Sequence, residues 1–255
     1  MTTFAYPSLR SLYIEPHRDG LCLSSATGFV VDTVAGPHLI TNLHVVTGRH
    51  PVTCKVNAIP NELVIYHHKK GCLGEWAARS EPLVSDNWHL WREHPTLGDK
   101  AGFVAVPLTN LQDVDLFYVD PVHPWFAEYE DDRSDDFLLG PSDMVSVVGF
   151  PFGKSSSGYL PIWVTGFLAS ELSEDYDRLP IHLIDSRTRP GQSGSPVFAY
   201  RSGGAVTTES GTVTVFNGPV AKFLGVYSGR IQNDSDLGMV WKASALAELI
   251  QSLGH

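Results

Sequence analysis

The sequence predicts an all-β protein made of two antiparallel barrels and a C-terminal helix. Three observations predict it. The 23 glycines and 17 prolines are scattered between short apolar runs, which favours many strands and turns over long helices. Those runs fall into two successive groups, separated by the acidic, aliphatic-poor stretch "EYEDDRSDDF" (128–137), which reads as a linker or exposed loop. The tail "WKASALAELIQSLG" changes period: Ala245, Leu246, Leu249, Ile250 and Leu253 recur at three- and four-residue steps, as on one face of a helix ending near Gly254. The expected domains are an N-terminal barrel over 1–127 and a C-terminal barrel with its helix over 128–255.

In the first group, residues 28–34 and 38–41 are β-rich and joined at Ala35, Gly36 and Pro37, a hairpin that delivers His44 just past its second strand. "NELVIYHH" (61–68) and "GFVAVPL" (102–108) are further strands, separated by a long connection bearing Trp and His. After the acidic stretch, "MVSVVGFPFG", "LPIWVTGFLAS", "LPIHLID", "GSPVFAY", "GTVTVFN" and "AKFLGVYSG" supply the second group.

Bulk properties narrow the function classes. A chain of 255 residues buries a substantial core. A formal net charge of −10 at pH 7 leaves no basic surface to displace counterions, so a nucleic-acid partner is not expected. No run of apolar residues is long enough to span a bilayer, and the N-terminus lacks a basic segment followed by an apolar one, so neither a membrane span nor a secretion signal is expected. Cys22, Cys54 and Cys72 are too few and too irregular for a disulfide framework. They read as buried free thiols in a reduced, cytoplasmic chain. His67 and His68, followed by Lys69 and Lys70, read as a strand end running into solvent, and the acidic stretch lacks the ligand order of a calcium loop. No metal and no organic cofactor is expected.

The chemistry concentrates in "RPGQSGSPVF" (189–198) and "TNLHVV" (41–46). A serine hydroxyl is a poor nucleophile until a base takes its proton, so Ser193 as nucleophile requires an imidazole within reach, and His44 is the candidate. The amides of Gly191 and Ser193 in such a turn can converge on a developing oxyanion, with glycine supplying both the backbone geometry and room for the substrate carbonyl.

At these residues the chain resembles the chymotrypsin-fold (trypsin-like) serine peptidases, in particular the bacterial branch near the HtrA-type proteases. "TGFVV" with "HLITNLHVV" resembles the family's histidine motif, "VVGFPFG" its second-barrel opening, "DSRTRPGQSGSPV" its nucleophile motif and "FLGVYSG" the strand lining its primary specificity pocket. The resemblance covers roughly residues 20 to 252 and rests on four motifs in the family's order. It implies two six-stranded barrels with a cleft between them. It also implies acyl-enzyme hydrolysis of peptide bonds, with Ser193 as nucleophile, His44 as general base and then acid, and Gly191 and Ser193 as the oxyanion hole.

One position departs from the pattern. The family's acidic triad member opens the strand that matches "GFVAVPL", and here that place holds Gly102. In a trypsin-like protease, replacing that carboxylate by an amide lowers turnover by about 10⁴ and leaves measurable catalysis. Asp99, three residues upstream, is the nearest substitute; Asp113 and Asp115 lie beyond the strand, and water or the Ser228 hydroxyl are other ways to orient the ring. Gly102 also keeps open a second reading, a protease-like binding module that has lost turnover.

The resemblance places the primary pocket at Arg187, Thr188, Ser228 and Arg230. Arg187, Arg189 and Arg230 would surround it with positive charge, suited to acidic or polar side chains. The implied partners are a protein or peptide substrate and a regulatory protein. HtrA-type proteases often carry a peptide-binding domain after the protease, and Leu253 leaves no room for one, so gating by a partner or loop is expected.

Overall fold

The computed structural model describes residues 4–49, 55–56, 58–86, 88–127, 138–232 and 234–254. The first sheet grows outward from β1 (Ser11–Arg18), which follows the short helix α1 (Tyr6–Arg10). Its other principal strands are β2 (Ala26–Val31), β3 (His38–Asn42), β4 (Glu62–Lys69), β5 (Cys72–Pro82) and β6 (Phe103–Pro107). All pair antiparallel in the order β5–β4–β1–β2–β3–β6. β2 and β3 are buried along their whole length, taking Thr27, His38, Thr41 and Asn42 in with their apolar residues, whereas β1 and β4 alternate. Arg92, in the connection between β5 and β6, forms an isolated bridge with Ala105 of β6, Arg92 N donating to Ala105 O (2.7 Å) and Ala105 N to Arg92 O (3.0 Å).

The second sheet is a closed ring of six strands: β8 (Met144–Gly149), β9 (Ile162–Leu168), β10 (Ile181–Asp185), β13 (Leu237–Lys242), β12 (Val220–Arg230) and β11 (Pro196–Arg201), which returns to β8. Closure removes the ring's free edges. The strand β7 (Trp125–Ala127) pairs with β12 outside the ring. At Gly225, with φ +147°, a Cβ would stand 1.8 Å from the Trp241 carbonyl, so only glycine lets β12 approach β13 that closely. The chain ends in the expected helix, numbered α3 (Ala243–Ser252), with Ala245, Leu246 and Leu249 buried.

The largest core cluster belongs to neither sheet alone. Phe29, Ile40 and Phe103 of the first sheet pack with Val148, Phe198, Phe223, Trp241 and Leu246 of the second half. Ser11 Oγ donates to Val148 O and Trp163 Nε1 donates to Ser8 Oγ at 2.8 Å, so polar contacts also cross the seam. The expected all-β architecture with a C-terminal helix is therefore present.

Several expectations are corrected. His67 and His68 do not run into solvent: both are buried, and His68 Nε2 is 3.0 Å from Leu9 O. Cys22 and Cys72 are exposed rather than buried, while Cys54 and the acidic stretch 128–137 lie outside the described residues. Strands β1 and β5 were not evident in the sequence: β5 carries Ala, Arg and Glu on an edge that is mostly solvated, and its pairing with β4 overrides that composition. Among the described residues, no helix is long and apolar enough to cross a membrane.

Candidate active site

His44 sits on a helix of little more than one turn, numbered α2 (Leu43–Thr47), that starts where β3 ends. Leu43 N donates to Gly102 O at 3.0 Å, fixing the helix start to β6. Gly48 ends it in the left-handed conformation (φ 64°) with its N–H on His44 O, and a Cβ there would stand 1.9 Å from Ala58 O. Val45 and Val46 are buried in the first sheet's core, which turns His44 to the opposite, half-buried side. There it lines a cavity of about 330 Å³ with Asp99, Gly102, Ser228 and Trp241.

The 189–195 turn is held from both halves. Gln192 is fully buried; its Oε1 accepts from Arg189 N (2.8 Å) and its carbonyl from Ser195 N (3.0 Å). Gly191 has φ +95°, and a Cβ would meet Phe150 O at 2.4 Å; Gly194 has φ +84°, and a Cβ would meet Thr27 O at 2.3 Å and Thr41 Oγ1 at 2.6 Å. No other residue type fits either place.

Thr27 of β2 clamps the turn. Its hydroxyl donates to Gly191 O (2.8 Å) and accepts from Phe150 N (3.1 Å), and its own N–H donates to Ser193 O (3.0 Å). Gly194 N donates to Tyr227 O (3.0 Å), which ties the turn to the strand that carries Ser228. With the carbonyls of Gly191 and Ser193 so employed, neither residue's N–H has a backbone acceptor among the described residues. Two amides left unpaired in a turn are available to an anionic oxygen. The half-buried Ser193 thus lies on a turn packed against Thr41, three residues before His44.

Gly102 is enclosed. A Cβ would stand 2.6 Å from Trp241 Nε1 and 2.7 Å from Ser228 Oγ, so the space an acidic side chain would need is filled by the indole and the hydroxyl. Asp99 lies exposed on the lip of the cavity that His44 lines. Asp113 and Asp115 are elsewhere: Asp115 pairs with β4 at the far side of the sheet from β6 and accepts from Gly71 N at 2.8 Å.

The residues expected at the primary pocket are placed as follows. Arg187 is exposed; Arg189 Nη1 folds back onto the carbonyls of Thr188 (2.8 Å) and Arg187 (3.2 Å). Arg230 Nη1 reaches Ser235 O at 3.5 Å. Thr188 is buried and its hydroxyl is bonded to Tyr227 OH. The Tyr227 ring is 3% exposed, and its Cε2 stands 2.8 Å from where a Gly238 Cβ would be. The phenol therefore lies wedged between the Thr188 and Gly238 segments, and its burial pushes the Tyr227 pKa up. Neither Tyr227 nor Trp241 stood out in the sequence, although Tyr227 immediately precedes Ser228 in "FLGVYSG".

No protein-family model matches the chain, and no curated protein matches it. Solved structures do. The serine endoprotease from Yersinia pestis is similar with a TM-score of 0.53 at 10% identity, over 100% of this chain and 68% of that one. An inactive serine-to-alanine mutant of Rv3671c from M. tuberculosis H37Rv is similar with a TM-score of 0.50 at 16% identity, over 98% of this chain and 87% of that one. Identities this low carry the fold and not the activity, and at that level the chain has a chymotrypsin-like double-barrel fold.

Proposed function

We propose that the protein is a serine endopeptidase of the trypsin-like, HtrA-related kind that cleaves protein substrates through an acyl-enzyme. The observation that carries this reading is the 189–195 turn, in which the Gly191 and Ser193 amides have no backbone acceptor among the described residues while Thr27 bonds the turn and Thr41, three residues before His44, packs against Gly194. Ser193 attacks the scissile carbonyl, and its proton passes to His44. The Gly191 and Ser193 amides hold the oxyanion, and His44 returns the proton to the leaving amine. Water then repeats the sequence on the acyl-serine.

The pocket geometry argues for small uncharged side chains at the cleaved position, because Tyr227 fills the space and Arg189 turns its charge onto its own backbone. A second reading has its own observation: with Trp241 and Ser228 packed against Gly102, no carboxylate stands on β6 behind His44, and the cleft of an impaired protease would hold a peptide without turning it over. A fluorophosphonate probe separates the two. Labelling at Ser193 that rises as the imidazole deprotonates and vanishes in His44→Ala supports the peptidase. A folded protein that stays unlabelled across that range supports the binding module.

A further inference from the structure

Outside this cleft, one hairpin gathers three different metal-binding side chains. Glu15 and His17 alternate on β1, so both face the same side. The chain then turns at Asp19 and Gly20, both with positive φ (53° and 79°), a two-residue turn of the kind that joins twisted strands. That turn sets Cys22 directly opposite His17 across the pair. Glu15, His17 and Cys22 thereby bring a carboxylate oxygen, an imidazole nitrogen and a thiol within 4.8 Å of one another.

The geometry points to a zinc-binding site formed by Glu15, His17 and Cys22. Zinc bonds of about 2.3 Å to sulfur and about 2.0–2.2 Å to nitrogen and oxygen place tetrahedral ligands roughly 3.3 to 3.6 Å apart. His17 Nε2 and Glu15 Oε2 already stand at 3.1 Å, and the exposed Cys22 needs a movement of up to about 1.5 Å, within reach of a rotamer change.

The carboxylate is held in advance: Tyr13 OH donates to Oε1 (2.9 Å) and Tyr66 OH to Oε2 (3.0 Å), the outer hydrogen bonds that orient a metal ligand. A mixed oxygen, nitrogen and sulfur set suits zinc, whereas magnesium and calcium take oxygen alone. On binding, the Cys22 thiol gives its proton to solvent and its sulfur bonds the metal. His17 gives up the Nε2 proton it shares with Glu15 and keeps its proton on Nδ1, so that the Nε2 lone pair bonds the metal, and three protein ligands leave the fourth position to water.

This inference is independent of the proteolytic reading. Cobalt(II) added to the intact, reduced protein is the probe. We expect a thiolate-to-cobalt charge-transfer band and intense visible bands of a four-coordinate ion, saturating at one cobalt per chain and bleached by zinc. Cys22→Ser abolishes the charge-transfer band, His17→Ala weakens binding at least tenfold, and Cys72→Ser leaves the spectrum unchanged. Circular dichroism establishes that each variant is folded. No band in the wild-type protein, or a band that survives Cys22→Ser, overturns the site.

Discussion

Thr27 joins two carbonyls of the proposed oxyanion turn and the Phe150 amide through one short side chain and its own N–H. Replacing it by valine keeps the shape and removes the hydroxyl, which leaves Gly191 O and Phe150 N without that partner. Thr27→Val should cost about 1–3 kcal/mol in urea unfolding, the range for an orphaned buried group, and slow fluorophosphonate labelling of Ser193 at least tenfold. If labelling is unaffected, the clamp does not position the turn. Tyr227 makes a separate prediction: Tyr227→Ala empties the space beside Thr188, so a peptide-library digest should shift from small side chains toward large apolar ones at the cleaved bond. An unshifted profile would place the pocket elsewhere. His44 and Ser193 could be singled out as candidates in the sequence, and the two glycines were legible because the turn's backbone permits few residue types. Tyr227 and Trp241 were not legible, because an aromatic residue in a strand looks the same whether it fills a pocket or a core.

Strands differ in how much of their environment their own residues reveal. β2 and β6 are fully or nearly fully buried and mostly apolar and announce themselves, β3 is as buried but holds His38, Thr41 and Asn42 beside Leu39 and Ile40, and β5 is an edge whose place depends on β4. Its one wholly buried charge, Glu81, makes sense only in three dimensions, where it accepts from Thr109 N, Thr109 Oγ1 and Asn110 N. Two histidines on strands carry a pH signature. His67 on β4 and His182 on β10 are fully buried, and neither ring has a hydrogen-bond partner among the described residues.

Burial first, then His68 and Arg79, lowers the His67 pKa to about 4; burial and then Lys242 lowers that of His182 to about 3. Unfolding frees both to bind protons near the ordinary value of about 6.5. Their contribution is therefore complete above about pH 6.5 and is lost as pH falls toward about 4 and about 3. Each histidine should remove up to about 1.4 kcal/mol per pH unit across that window, and urea titrations of His67→Leu and His182→Leu should show correspondingly shallower acid slopes. Slopes equal to wild type would mean that the rings are protonated in the fold.

At the scale of the whole molecule, the two sheets share their largest core cluster. Phe103 and Trp241 meet edge to face with centroids 5.6 Å apart, and Phe29 meets Phe223 in the same way at 5.4 Å. Burial shared across the seam should make the halves unfold together, so calorimetry is expected to give a single transition with equal calorimetric and van't Hoff enthalpies. Two resolved transitions would mean that each half is stable alone. The double-barrel plan could be read from strand grouping and the terminal helix, but the seam could not, because pairings such as Phe103 with Trp241 join residues far apart in the chain.

Trp241 has a consequence for the routes by which this sequence can change. It fills the volume that an aspartate at 102 would need, and Gly102 gives the indole its place. Gly102→Asp alone should overpack the seam, destabilising the fold by about 1–3 kcal/mol without faster labelling of Ser193. Trp241→Thr alone should leave a hole in the shared core. The double variant should fold better than the additive sum of the singles and label faster than either, a test made by a double-mutant cycle read in both stability and labelling rate. Additivity would show that the two sites are uncoupled. Under coupling, both one-step paths to an acidic residue descend before they climb, so a glycine behind the histidine, once established, is held there by its neighbour rather than by selection on the reaction itself.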